Sequence, residues 1–128
     1  MGTEHGFKEG RAFLRAIEEF RKLNKDMQAG QMALFLQIAL HPDLLVNEYA
    51  DRVGMNTGGT ITRNVEALMH MKRVKDPVTK KTELVEGAGW VEKYQDLHDQ
   101  RQFRLKLTQK GKRVFGSLVD LISDIRKE

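Results

Sequence analysis

Apolar residues recur along this chain at more than one period, and each period predicts a different kind of element. From residue 7 to 25, FKEGRAFLRAIEEFRKLNK brings Phe7, Leu14, Ile17, Phe20 and Leu23 near one stripe with charges between them, the spacing of an amphipathic helix. Residues 30 to 40, GQMALFLQIAL, are apolar almost all round, which predicts a helix central to the core. His41-Pro42 ends it, because a residue before proline is pushed away from helical angles. Residues 47 to 54 form a short helical pattern closed by Gly54, which can supply a left-handed cap. Asn56 then offers its side chain as N-cap to the next helix. Within that helix, TGGTITRNVEALMHM, Ile61, Val65, Leu68 and Met69 fall on one face, while Gly59, Thr60, Arg63 and Ala67 point the other way.

Beyond residue 88 the period shortens to two. WVEKY (90–94) and QFRLKL (102–107) alternate as strands with one apolar face, joined by a polar tip carrying Asp99 and Arg101. A last helical pattern follows, with Thr108 as its N-cap and Val114, Leu118, Leu121, Ile122 and Ile125 on a stripe. An apolar stripe this near a chain end calls for a partner, either the core or a second subunit. Residues 72 to 86 fit neither period cleanly. Asp76-Pro77 breaks any helix, and Val74, Val78, Leu84 and Val85 around residues 79–82 suit a small hairpin or an ordered loop. The expectation is one mainly α domain with a small β-hairpin, an α+β fold, in a chain of 128 residues.

The helix over 57–71 has an unusual outer face. A solvent face is commonly rich in Lys and Glu, but this one is small and polar apart from one long arginine, and Gly and Thr are poor helix formers. Slim side chains let a helix backbone approach base edges in a major groove, and Thr, Asn and Arg supply donors there. Charge adds to this picture through its distribution. Residues 1–55 hold 7 Lys/Arg against 8 Asp/Glu, residues 56–113 hold 13 against 7, and residues 114–128 hold 2 against 3. The positive excess therefore sits in the middle, as on a surface that meets a polyanion.

Other chemistries find little support. With no cysteine the chain has no disulfide, thiolate metal site or thiol nucleophile. His5, His41, His70 and His98 lack metal-ligand spacing, His98 and Asp99 are strand-like neighbours that face apart, and the Gly pairs lack a phosphate-loop pattern. No enzyme activity, cofactor or metal is expected. No run approaches the roughly 18 apolar residues of a membrane span, and the start has no apolar stretch of the signal-peptide type, so the expected setting is cytoplasmic, away from membranes.

In order, helix, helix, helix-turn-helix, hairpin and helix resemble a winged helix of the MarR regulator type. The matching pieces are Glu48-Tyr49-Ala50, Val53-Gly54-Met55, Thr60-Ile61-Thr62-Arg63 with Val65 and Leu68, and Gly89-Trp90-Val91-Glu92-Lys93. Asp99-Gln100-Arg101 and Leu107-Thr108-Gln109-Lys110-Gly111 complete them, with Asp99 nine residues before Thr108. The similarity spans residues 30 to 115. It implies one winged helix-turn-helix domain over 1–128, with helices 7–25 and 109–128 serving dimerisation, the helix-turn-helix at 47–69 and the wing at 89–107. It also implies that the wing arginine enters a minor groove while the aspartate braces it, which suits the enhanced negative potential of a narrow groove and the paired hydrogen bonds a carboxylate offers. Three features depart from the family pattern: one extra residue between Gly54 and Arg63 with Gly58-Gly59 inside it, an insertion at 70–88, and a short last helix. In an alternative alignment, 71–75 is the first wing strand and the expansion lies inside the wing.

The resulting expectation is a homodimeric regulator that binds a pseudo-palindromic site in double-stranded DNA. Thr57, Thr60, Thr62, Arg63 and Asn64 are the candidate contacts from the helix; Lys93, Asp99, Arg101 and Arg104, with Lys106, are those from the wing. The competing reading is a winged helix kept for protein assembly or for the replication machinery of a mobile element. Relatives that bind phenolic effectors suggest Phe13, Phe20, Met32 and Phe35 as pocket residues for a small molecule, although such residues at helical spacing commonly form plain core.

Overall fold

The computed structural model describes the backbone of residues 2–127 and the side chains of residues 6–123. Along the chain run α1 (Gly2–Arg21), α2 (Ala29–Leu40), α3 (Val46–Val53), α4 (Gly59–Leu68), β1 (Met71–Lys75), β2 (Thr82–Glu86), β3 (Val91–Gln95), β4 (Phe103–Leu107) and α5 (Gln109–Lys127). The strands make two antiparallel hairpins, β1 with β2 and β3 with β4. Residues 72–86, open between hairpin and loop on sequence, thus form a hairpin of their own, and the alternative in which 71–75 pairs within the wing does not hold.

The core gathers around α2. Leu34, Phe35 and Ile38 are fully buried there and meet Tyr49 and Ala50 of α3, Ile61, Val65 and Leu68 of α4, Trp90, Val91, Leu105, and Leu118 of α5. Phe35 packs at 5.1 Å from Trp90 and at 5.9 Å from Phe20, edge-on to the latter. Each such side chain contributes about 1.5 to 3 kcal/mol through burial, so the all-round apolarity of α2 follows from its central place.

Local stops and starts largely obey the chain's own signals. Gly54 closes α3 at φ 70°, a conformation that costs a residue without Cβ little. Thr108 caps α5: its Oγ1 accepts from the Gly111 amide at 3.0 Å and donates to the Gly89 carbonyl at 2.6 Å. Gly111 is required because a Cβ there would stand 2.0 Å from the Trp90 carbonyl oxygen. Asn56 does not act as a side-chain cap. Helix α4 starts at Gly59 with Gly58 at its N-cap and no side-chain cap bond, and Asn56 instead gives its carbonyl to the Ile61 amide at 3.3 Å. The extra residue and paired glycines delay the helix, which spans 10 residues.

The stripe read along α1 divides. Phe20 and Ala12 are buried, whereas Phe7, Phe13 and Leu14 are exposed. On α5, Leu118 is buried and Val119 and Ile122 are exposed, and the side chain of Ile125 lies outside the described residues. Among the described residues, no helix is long and apolar enough to cross a membrane and no group of three His, Cys, Asp or Glu is placed to hold a metal.

Candidate nucleic-acid interface

Helix α4 turns Ile61, Val65 and Leu68 into the core, leaving Gly59, Arg63 and, in part, Thr60 and Thr62 accessible. Thr57 is exposed in the turn that precedes it. Asn64 is less available than sequence suggests. Its amide nitrogen donates to the Thr60 carbonyl at 2.9 Å and its Oδ1 accepts from Gln31 of α2 at 3.3 Å, which fixes α4 against the core.

The β3–β4 hairpin places its tip with a set of short polar bonds. Asp96 accepts from the amides of His98 and Asp99 at 3.1 and 3.0 Å, and its own amide reaches the Gln102 carbonyl at 2.9 Å. Asp99 then accepts from the Arg101 amide at 3.0 Å and from Arg101 Nε at 3.1 Å. Arg101 remains 91% exposed while held in this way. The fork is aimed outward, already oriented. Hydrogen bonding from Arg101 holds the Asp99 carboxyl below its ordinary pKa, and that from Arg104 does the same for Asp96.

Arg104 takes a bracing position. Its Nε donates to Asp96 at 2.7 Å and its Nη1 to the Asp43 carbonyl at 2.7 Å, so it ties the wing tip to the α2–α3 connection. Tyr94 supports the same connection by donating to the Asp43 carboxylate at 2.5 Å, and this bond pushes the phenol pKa up to about 12. The Asp43 amide and the Leu44 carbonyl pair with Leu105, and Leu45 bridges to Arg104, which gives the wing a third, abbreviated strand. Sequence reasoning did not find Tyr94, Asp96 or Asp43; the one available signal was an Asp directly after His41-Pro42, where φ reaches 70° and Asp tolerates the left-handed region. Lys93 lies 4.7 Å over the Phe103 ring and Lys106 5.2 Å over Tyr94.

Helix and wing come together at a cleft of about 210 Å³, where Thr62 and Glu66 of α4 and Val46 and Asn47 of α3 face Lys93 and Arg101 of the wing. The residues proposed for effector binding are arranged otherwise. Phe20 and Phe35 fill the core against Trp90, and Phe13 is 70% exposed, so the plain core reading holds for the first two.

No family model matches this chain, and no curated protein matches it. Solved structures do. MarR superposes with a TM-score of 0.55 at 19% identity, over 95% of this chain and 69% of that one. The chain has the MarR-type winged-helix fold. The PcaV transcriptional regulator from Streptomyces coelicolor gives a TM-score of 0.58 at 21% identity over 95% of this chain and 77% of its own. FabT from Streptococcus pneumoniae, solved in complex with DNA, gives 0.54 at 19% over 96% and 78%. At such identities the likeness to MarR and its relatives establishes architecture.

Proposed function

We propose that this chain is a homodimeric, sequence-specific binder of duplex DNA that regulates transcription. The observation that carries the reading is the shared cleft. Thr62 of α4, one residue from Arg63, and the Asp99-braced Arg101 open onto this cleft together, where a helix lying in a major groove leaves the wing beside the adjacent backbone and minor groove. In this reading Thr57, Thr60, Thr62 and Arg63 meet base edges and phosphates, Arg101 enters the minor groove, and Lys93 lies near the backbone. Asp99 and Arg104 position the wing, and Asn64 fixes the angle of α4. Two copies related by a two-fold axis would read half-sites about 10 base pairs apart.

The test is a selection of bound duplexes from a random pool, followed by fluorescence titration of the recovered duplex across salt. A two-fold symmetric site is expected, with log K falling linearly against log salt at about −0.9 per phosphate neutralised. Arg63→Ala and Arg101→Ala should each weaken binding by about 1 to 3 kcal/mol and relax base preference. Association with no salt dependence, or none at all, ends the reading in favour of a protein-assembly module, for which the same variants would leave partner binding intact.

A further inference from the structure

The hairpin inserted at 71–86 folds back along α4. Glu66 of the helix receives the Arg73 amide at 3.2 Å and the Arg73 guanidinium through Nε at 3.1 Å and Nη2 at 2.5 Å. Farther along, Gly58 at the N-cap and Gly59 and Arg63 of α4 face Arg73, Lys75 and Thr82 across a cleft of about 400 Å³. Strand β1 therefore starts near the C-terminal end of α4 and carries its tip back toward the helix N-terminus, the end from which a helix-turn-helix reaches base edges. The wing lies along the other cleft, and Thr62 and Glu66 line both.

The tip is built rather than loose. Asp76 Oδ1 accepts from the amides of Val78 and Thr79 at 2.7 and 3.2 Å, its carbonyl accepts from Lys80 at 2.9 Å, and its amide donates to the Lys81 carbonyl at 2.8 Å. Lys75, Lys80 and Lys81 are exposed there, and among the described residues none of them is in an ion pair. Apolar side chains are split between the two faces of the hairpin, Met71 and Leu84 on one and Val74 and Val85 on the other, each interleaved with charged residues.

We infer that β1–β2 is a second phosphate-binding arm, which carries Lys75, Lys80 and Lys81 to the DNA backbone on the side of the recognition helix away from the wing. This rests on the reading of the chain as a DNA binder. A major groove about 12 Å wide is bordered by two phosphate chains, and α4 lies between two hairpins that each present basic side chains, Lys93 and Arg101 on one and the three tip lysines on the other. The hairpin is also separable from the core. Its ends meet where the Gly87 amide donates to the His70 carbonyl at 2.7 Å, and Ala88, Gly89 and Trp90 donate to the last carbonyls of α4 and its cap.

The experiment titrates the full chain and its Lys75→Ala/Lys80→Ala/Lys81→Ala variant against the duplex recovered by selection and against an unrelated duplex. The variant is expected to bind both duplexes about tenfold or more weakly at low salt, with the same base preference and a log–log salt slope shallower by about 2 to 3. A second variant, with residues 71–86 replaced by two glycines, is expected to show the same loss. Wild-type binding with an unchanged slope in the triple variant, or tighter binding once the hairpin is removed, overturns the second arm alone. Wild-type protein that binds no duplex in a salt-dependent way overturns the parent reading with it.

Discussion

Tyr49 illustrates how one hydroxyl can hold a connection that the wing depends on. Fully buried, its oxygen donates to the His41 carbonyl and accepts from the Leu44 amide at 3.1 Å, on either side of Pro42 and Asp43. Burial raises its pKa above the ordinary phenol value, so the donor stays protonated wherever the protein is used. Tyr49→Phe keeps the ring and removes the hydroxyl, which takes a partner from two part-buried backbone groups, the His41 carbonyl and the Leu44 amide. Such a loss costs about 1 to 3 kcal/mol, to be read as a lower urea midpoint at unchanged m-value. An unchanged midpoint would mean that water replaces the hydroxyl. The motif at 48–50 points to this position as a helix-turn-helix residue, but the two backbone partners of Tyr49 are visible only once α2 and α3 are in place.

At the scale of elements, the wing is a hairpin whose aim depends on charges. Arg104 joins Asp96 to Asp43, and its hydrogen bond is the largest cause of the lowered Asp96 pKa. A carboxyl whose folded pKa is depressed stabilises the fold above its unfolded value, near 3.8, and that contribution is lost as pH falls through the folded value. The wing is thus expected to keep its order from neutral pH to about 4 and to loosen below that. Arg104→Ala should move the Asp96 midpoint up toward 3.8 in a carbon-detected NMR titration and weaken DNA binding while leaving base preference in place. A midpoint that stays low would show that the amides of His98 and Asp99 suffice to hold it. Period-two alternation made β3 and β4 legible in advance. It was silent on the tip, because Asp96 and Arg104 act across eight residues and through Asp43, a pairing that no local pattern encodes.

For the whole molecule, assembly centres on α1 and α5. Phe7, Phe13 and Leu14 are 57, 70 and 57% exposed, and Val119 and Ile122 are 42 and 53% exposed. Exposed apolar residues on two helices that pack together mark a surface that a second copy can cover. Leu14→Glu with Ile122→Glu leaves the α2-centred core untouched and is expected to convert a dimer to a monomer in analytical ultracentrifugation, with a loss of about 4 kcal/mol or more in site-specific affinity as one half-site is given up. A wild-type chain that sediments as a monomer at tens of micromolar would sink the dimer.

The amino-acid order alone determined the helical segments and the two strands on either side of the Asp99–Arg101 tip, that α2 lies at the centre, that Gly54 and Thr108 mark boundaries, and that Asp99 and Arg101 belong together. All of these rest on contacts within a few residues or on a repeating burial period, which local steric and solvation rules fix. Tertiary structure alone decided which side of α1 is buried, that Asn64 and Arg104 brace rather than stand free, and that 71–86 lies along α4 opposite the wing. Those outcomes depend on partners distant in sequence, such as Gln31 for Asn64 and Asp43 for Arg104, and a side chain's polar bonds are set by whichever surface the folded chain brings to it.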